Sequence, residues 1–162
     1  MKFDELRVGQ VVEAGPYRVT EDEVCAFAAV YDPQWFHADP EAAARVFFEG
    51  LIASGWHTSA IAMRLATEAV LKGAESFASP GVAYIKWRHP VRPGDELSLK
   101  ATFLDIRRSR SQPSLGILRW RWQLSNATGA EVPDLEVTSL FDLELPDSIT
   151  SPPPETHARV AP

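Results

Sequence analysis

The sequence is poor in cysteine, in basic residues and in long hydrophobic runs, and each shortage excludes a class of protein. Cys25 is the only cysteine among 162 residues, so neither an intrachain disulfide nor a multi-cysteine metal site is possible, as is usual in reducing compartments. The chain has 16 Lys and Arg residues against 22 Asp and Glu, a net charge of −6. Nucleic acid is therefore excluded as a general partner, because binding phosphates requires a basic surface.

No apolar run is long enough to cross a bilayer, and the N-terminal stretch MKFDELRVGQ lacks the hydrophobic segment of a secretion signal. We therefore expect a soluble cytoplasmic protein with no membrane partner. Hydrophobic residues make up 45% of the chain, which is enough for the core of one domain of this length.

Capping signals and periodicity predict two helices in the first third of the chain. The first begins with the capping box of Thr20 and Glu23, continues with apolar residues at helical spacing, and stops at Asp32. Asp39 followed by proline predicts a second helix over 40–48, ended by the glycine of FFEG. The segment between these helices should be a loop fixed at both ends.

The longest predicted helix begins near Ser54 or Gly55 and runs to Lys72, with Gly73 as its stop. Apolar residues cover most of its circumference, so we expect other elements to wrap it on nearly all sides. Its polar residues fall on one narrow stripe, which comprises His57, Arg64, Glu68 and Lys72.

Four later segments alternate apolar and polar residues and predict antiparallel strands: GVAYIKWRH, ELSLKATFLDI, LGILRWRWQL and LEVTSLFDLEL. Near the N-terminus, GQVVEA and YRVT suit a further strand. The fold class is therefore α+β, with a long central helix wrapped by a curved antiparallel sheet. We expect this domain to cover 1–147 and a proline-rich tail to cover 148–162, docked on its own or a neighbouring subunit.

The segment YDPQWFHADPEAA places Asp32 and His37 five positions apart between the first two helices. A carboxylate and an imidazole on one short loop suit general acid and base chemistry on a single water. The spacing alone also fits a turn-forming acid and a solvated histidine. Gly55, at the start of the long helix, offers a backbone N–H that no earlier turn uses, at the positive end of the helix dipole.

Three segments together resemble the MaoC-like dehydratase family, which includes the R-specific enoyl-CoA hydratases. They are YDPQWFHADPEAA, FFEGLIASGWHT and WRHPVRPGDEL, and the resemblance extends roughly from Phe3 to Leu145. It implies a single hotdog fold and a hydro-lyase acting on an acyl-CoA thioester. It also implies that Asp32 and His37 are the catalytic acid and histidine of the family motif, and that the amide of Gly55 binds the thioester oxygen.

The resemblance also suggests which residues bind the substrate. Gln34 stands where the family motif has Asn, and Pro33 and Trp35 replace the order in which proline follows that Asn. Trp35 would narrow the acyl pocket, and Ser54 either caps the long helix or reaches the site. The expected substrate-binding residues are Gln34, Trp35, Phe36, Ser54, Trp56, Arg107 and Arg108. Coenzyme A enters as part of the substrate, and neither a separate cofactor nor a metal is expected.

The basic cluster and His57 each have a structural explanation beside the functional one. Arg107 and Arg108 belong to the only dense basic cluster, which suits either coenzyme A phosphates or a solvated hairpin loop. His57 lies on the predicted polar stripe, which argues against a direct part in catalysis.

Three functions remain open at this point: a hydro-lyase, a hotdog thioesterase, and a non-catalytic hotdog partner subunit. The pairing of Asp32 with His37 favours the first of these. The family builds its thioester tunnel between two subunits, so we also expect a homodimer or a higher assembly of dimers.

Overall fold

The computed structural model describes residues 1–45 and 47–146, which form five strands and four α-helices around one core. The helices are α1 (Glu21–Tyr31), α2 (Trp35–Ala38), α3 (Pro40–Ala43) and α4 (Gly55–Ala66), the last continued by a π-helical turn over Thr67–Leu71. The strands are β1 (Val11–Arg18), β2 (Ser76–Trp87), β3 (Glu96–Arg108), β4 (Leu115–Ser125) and β5 (Glu131–Asp142). The predicted tail over 148–162, its docking and the domain boundary at 147 lie outside the described residues.

The strands form one antiparallel sheet in the order β1-β3-β4-β5-β2. On β3 and β4 every second residue is buried along most of the strand, because alternate side chains of a strand point to the same side. On β4 this inner face comprises Leu118, Trp120, Trp122 and Leu124, all buried in the same cluster as Ile61 and Leu65 of α4. The predicted helix wrapped by an antiparallel sheet is therefore confirmed, and it places the N-terminus of α4 at one end of the sheet.

The outer face of the sheet carries a closed network of charges. Asp134 of β5 is only 1% exposed, and its carboxylate accepts hydrogen bonds from Arg121 at 2.7 and 2.9 Å, Arg88 at 3.0 Å and Tyr84 at 3.1 Å. The hydrogen bonds from Arg121 contribute most to lowering the pKa of Asp134 to about 2. The acid is thus ionised and fully paired within one layer of side chains.

The second predicted helix is shorter than expected, and an additional helical turn precedes it. Asp39 caps α3 by accepting the N–H groups of Glu41 and Ala42, both at 3.0 Å. The helix ends at Ala43 and not near 48, because the chain turns back and the N–H of Gly50 bonds to the carbonyl of Ala43 at 3.1 Å. The expected loop also contains α2, which carries His37.

The environment of α4 corrects two further predictions. The helix begins at Gly55 as expected, but His57 is buried, at 6% exposure, because α1 packs across the first turns of α4. The wrapping is also incomplete, since Trp56 and Met63 remain exposed beside β2. The helix therefore has one open side, along an edge strand of the sheet.

Candidate active site

Asp32 lies at the C-terminal end of α1, and two neutral donors hold its carboxylate. Ser54 Oγ donates to Asp32 Oδ2 at 2.6 Å, and Gln34 Nε2 donates to Oδ1 at 2.8 Å. These two hydrogen bonds, the one from Ser54 first, keep the pKa of Asp32 below its ordinary value. The group is therefore a carboxylate at neutral pH with no lysine or arginine bonded to it among the residues described.

His37 is buried on α2, and the backbone fixes which of its ring nitrogens carries the proton. Nδ1 lies 2.7 Å from the carbonyl oxygen of Ile52. Because a carbonyl only accepts, Nδ1 must donate, which leaves Nε2 of the neutral ring as an acceptor. Nε2 lies 3.6 Å from Asp32 Oδ2. Two acceptors at that separation do not bond to each other, but both can accept from one water.

The N-terminal turn of α4 lies next to this pair. Ser54 is its N-cap, and its Oγ accepts the N–H of Trp56 at 3.2 Å while donating to Asp32. The two roles predicted as alternatives for Ser54 therefore occur together. None of the hydrogen bonds found among residues 1–45 and 47–146 uses the N–H of Gly55, as expected in the first turn of a helix. The turn presents a free donor and the positive end of the helix dipole.

A glycine is required at position 55 because of Trp87. A Cβ added at Gly55 would lie 2.5 Å from two ring atoms of Trp87. The indole is held there by its Nε1, which donates to Ser59 Oγ at 3.2 Å, and by edge-to-face contact with Trp56. The space beside Gly55 Cα is thus filled by a side chain of the protein. Sequence reasoning missed Trp87, whose position at the end of a strand just before PVRPGD was the available signal.

A cavity of about 270 Å³ opens beside these groups. Most of its lining is apolar, with two histidines, one threonine and one arginine among the lining residues. The lining comprises His37, Phe48, Ile52, Ala53, Gly55, Thr58, Trp87, Arg88, His89, Pro90, Val91 and Val132. The imidazole of His37 and the start of α4 therefore border one mostly apolar space of a size suited to a small acyl group.

The structure brings most of the predicted site residues together. Gln34 and Ser54 contact Asp32 itself, and the ring of Phe36 lies 4.3 Å from that of His37. The N–H of Trp56 bonds to Ser54, and its ring packs edge-to-face on Trp87. Trp35 is 49% exposed and packs on Phe36.

Arg107 and Arg108 lie at the other end of the sheet. Arg108 pairs with Gly116 of β4, which in turn pairs with Phe141 of β5, at the start of β2. Trp87, at the site, pairs with Pro133, which precedes Phe141 by eight residues on β5. That separation corresponds to roughly 26 Å along the strand. Within one chain, these arginines are not part of the site.

Two kinds of feature are absent from the described residues. No group of three or more His, Cys, Asp or Glu side chains there is arranged to hold a metal ion. No helix in that part of the chain has the length and apolar character needed to span a membrane.

Comparison with known families identifies the class to which this arrangement belongs. Residues 4–119 match the MaoC like domain, so the chain belongs to the MaoC-like dehydratase family. The crystal structure of a MaoC-like dehydratase from Rhodospirillum rubrum superposes with a TM-score of 0.79 at 37% identity, covering 86% of this chain and 94% of that one. The hotdog fold expected from the resemblance is thereby confirmed.

Individual relatives show how far the similarity extends. The uncharacterized protein YdeM of Bacillus subtilis is 37% identical over 73% of this chain and 82% of its own length. The 3-hydroxyacyl-thioester dehydratase Z of Mycobacterium tuberculosis is 32% identical, over 54% of this chain and 60% of its own length. An (R)-hydratase from A. caviae involved in PHA biosynthesis has a TM-score of 0.67 at 27% identity, over 83% of this chain and 96% of that one.

Proposed function

We propose that the protein is a hydro-lyase that adds water reversibly to a trans-2-enoyl-CoA thioester, or removes it from the 3-hydroxyacyl-CoA. The observation that carries the proposal is the 3.6 Å separation of Asp32 Oδ2 and His37 Nε2, together with the cavity that His37 and the N-terminus of α4 both line. The similarity to a 3-hydroxyacyl-thioester dehydratase and to an (R)-hydratase supports the same reaction class. Coenzyme A then belongs to the substrate, and no other cofactor is needed.

In the proposed reaction, each of these groups has a role. A water shared by Asp32 and His37 gives one proton to Asp32 while its oxygen bonds to the β-carbon, and Asp32 then passes that proton to the α-carbon, so that one water is added in total. His37, with Nδ1 fixed on Ile52, orients the water through Nε2. Help of this kind is worth about 10²- to 10⁴-fold in rate. The electron pair of the double bond moves towards the thioester oxygen, which the N–H of Gly55 stabilises.

Purified protein should decrease the absorbance of crotonyl-CoA as its double bond is hydrated, without releasing free thiol. Release of thiol without loss of the double bond would identify a thioesterase instead. Absence of both reactions with crotonyl-, branched and dicarboxylic enoyl-CoAs would favour a non-catalytic partner subunit. The three outcomes separate the three functions that the sequence leaves open.

The role of Gly55 needs a variant pair, because Gly55→Ala alone clashes with Trp87. Trp87→Leu removes the indole atoms that a methyl group at position 55 would meet. The double variant therefore provides room for the added methyl group and keeps the N–H. If the N–H is the donor, the double variant should match the rate of Trp87→Leu alone, and a further loss of about tenfold or more would contradict that role.

We also propose a homodimer formed along β2. This edge strand has a sheet neighbour on one side only in the part of the chain that the structure describes. Its Phe77, Val82 and Trp87 are exposed, and Met63 of α4 lies beside Phe77. Such an edge is a template for pairing with a second copy. Antiparallel pairing would reverse the ends and bring Arg107 of one copy towards the cavity of the other. Sedimentation should show a dimer or larger assembly, and a fully active monomer would contradict this.

A further inference from the structure

His57 is a buried titratable residue beside the site that the proposed reaction does not use. It is the third residue of α4, and its ring lies nearly parallel to that of Phe27 on α1, with centroids 4.8 Å apart and an interplanar angle of 10°. Burial lowers the pKa of His57. The imidazole is therefore neutral near pH 7 and stacked between two helices.

The contact between His57 and Glu23 of α1 leaves polar atoms unpaired. His57 Nδ1 and Glu23 Oε1 are two of three buried side-chain atoms without a hydrogen-bond partner among the described residues. His57 Nε2 lies 3.8 Å from Glu23 Oε1, which is too long for a hydrogen bond. The other carboxylate oxygen of Glu23 accepts from Tyr17 at 3.0 Å. Buried groups left unpaired in this way call for a physical explanation.

Few charged groups act on His57 from the elements packed around it. Glu23 approaches from α1, and its partner Tyr17 lies on β1. Arg64 of α4 lies over the Tyr17 ring at 5.2 Å and pairs with Glu68 at 3.1 Å. Of these groups, only Glu23 favours the charged imidazole. A protonated His57 would therefore close on Glu23 by about 1 Å to form a charge-assisted hydrogen bond.

The stack connects the two helix ends that carry the candidate site. Phe27 lies on α1 five residues before Asp32, and His57 lies two residues after Gly55. We propose that His57 and Glu23 form a positioning pair. The neutral ring on Phe27 keeps the first turn of α4 at the distance from α1 that the bond between Ser54 and Asp32 needs. When protonated His57 pairs with Glu23, its ring moves away from Phe27 and the distance between α1 and the first turn of α4 changes.

A spectroscopic test needs no assumption about the reaction. In full-length wild-type protein, the backbone amide resonance of Gly55 should shift with pH along the same curve as the imidazole resonances of His57. In His57→Phe, which keeps an aromatic ring on Phe27, this component of the shift should disappear. A Gly55 amide that does not move through the His57 titration would overturn the proposal.

A kinetic test rests on the proposed function and uses crotonyl-CoA. His57→Ala removes the ring, and kcat should fall by about 10- to 100-fold with KM changed less than about twofold, since displacements near 1 Å can have such effects. His57→Phe should restore kcat to within a few-fold at neutral pH. The pH profile of kcat for His57→Phe should also lack one of the protonations that reduce wild-type activity in acid.

Glu23→Gln keeps an acceptor for Tyr17 but removes the charge that would attract the imidazolium. The His57 titration should therefore move to lower pH in this variant. Equal losses of kcat in His57→Ala and His57→Phe would overturn the positioning role. If the wild type lacks hydratase activity, the proposed function fails while the amide resonance of Gly55 still decides the coupling.

Discussion

Asp32 and Asp134 are both aspartates with lowered pKa values, but their surroundings differ in kind. Asp134 is held by two arginines and a tyrosine in a layer that leaves it 1% exposed. Asp32 is held by the hydroxyl of Ser54 and the amide of Gln34, with the imidazole of His37 too far away to bond. The charge of Asp134 is neutralised by its arginine partners, whereas no cationic side chain bonds to Asp32 among the described residues.

This difference distinguishes a structural acid from a reactive one. Charged partners contribute stability but also occupy the lone pairs that a base needs for proton transfer. Neutral donors keep Asp32 ionised and oriented without forming an ion pair, and His37, whose Nδ1 faces the carbonyl of Ile52, turns its Nε2 towards the same carboxylate. A perturbed pKa alone therefore does not indicate function, because both aspartates show one.

The largest expected effect is on catalysis. Asp32→Asn should lower kcat by about 10² or more with little change in KM, because the amide keeps the shape and cannot take a proton. Asp134→Asn should leave kcat per folded molecule within a few-fold of wild type. Rates of crotonyl-CoA hydration by both variants, with circular dichroism to verify folding, provide the measurement.

His37→Ala should resemble Asp32→Asn, since both residues serve one water. The double variant should lose far less than the product of the two single losses, because groups that act as a unit are not additive. Independent, multiplying losses would show that the two residues act in separate steps. Normal hydration by a folded Asp32→Asn protein would remove the distinction between the two aspartates.

The second effect is on stability and concerns the outer face. Asp134→Ala leaves Arg121 without its two hydrogen bonds, and we expect unfolding to become easier by about 1 to 3 kcal/mol. Val30→Ala, at an exposed position of α1, is the matched control and should change little. Urea unfolding of the three proteins measures this. An Asp134→Ala protein as stable as wild type would mean that the network contributes no net stability.

The sequence predicted the fold better than it predicted the surroundings of the site. The N-caps of α1 at Thr20 and of α4 at Ser54 follow from capping chemistry, and strand alternation placed the inner face of β4. Local rules did not reveal the burial of His57 or the contact of Trp87 with Gly55, because both depend on elements that meet only in the folded chain. The short α3 was missed for a similar reason, since its end is set by a reversal of the chain.

The third effect concerns how Asp32 is kept ionised. Ser54→Ala removes the largest cause of its lowered pKa, so that pKa should rise towards its ordinary value. The acid limb of kcat/KM should then move to higher pH, and the lost cap should cost about 1 kcal/mol of stability. Ser54→Thr keeps a hydroxyl and should leave the limb in place. If the acid limb of kcat/KM stays at the same pH in Ser54→Ala, the hydroxyl acts only as a helix cap.

The smallest effect is a pH dependence that separates the two aspartates by their contribution to stability. A carboxyl whose pKa is lower in the folded than in the unfolded state binds fewer protons when folded, so its contribution is complete above the unfolded pKa and is lost as the pH falls through the folded pKa. For Asp134 this window runs from the ordinary value of 3.8 down to about 2. The difference in unfolding free energy between wild type and Asp134→Asn should therefore be constant from about pH 7 to pH 5 and should shrink below about pH 4. The difference in unfolding free energy between wild type and Asp32→Asn should also shrink as the pH falls, but by less. The reason is that neutral donors and not arginines lower the pKa of Asp32. Equal pH dependence in the two variants would contradict the division into a structural and a reactive carboxylate.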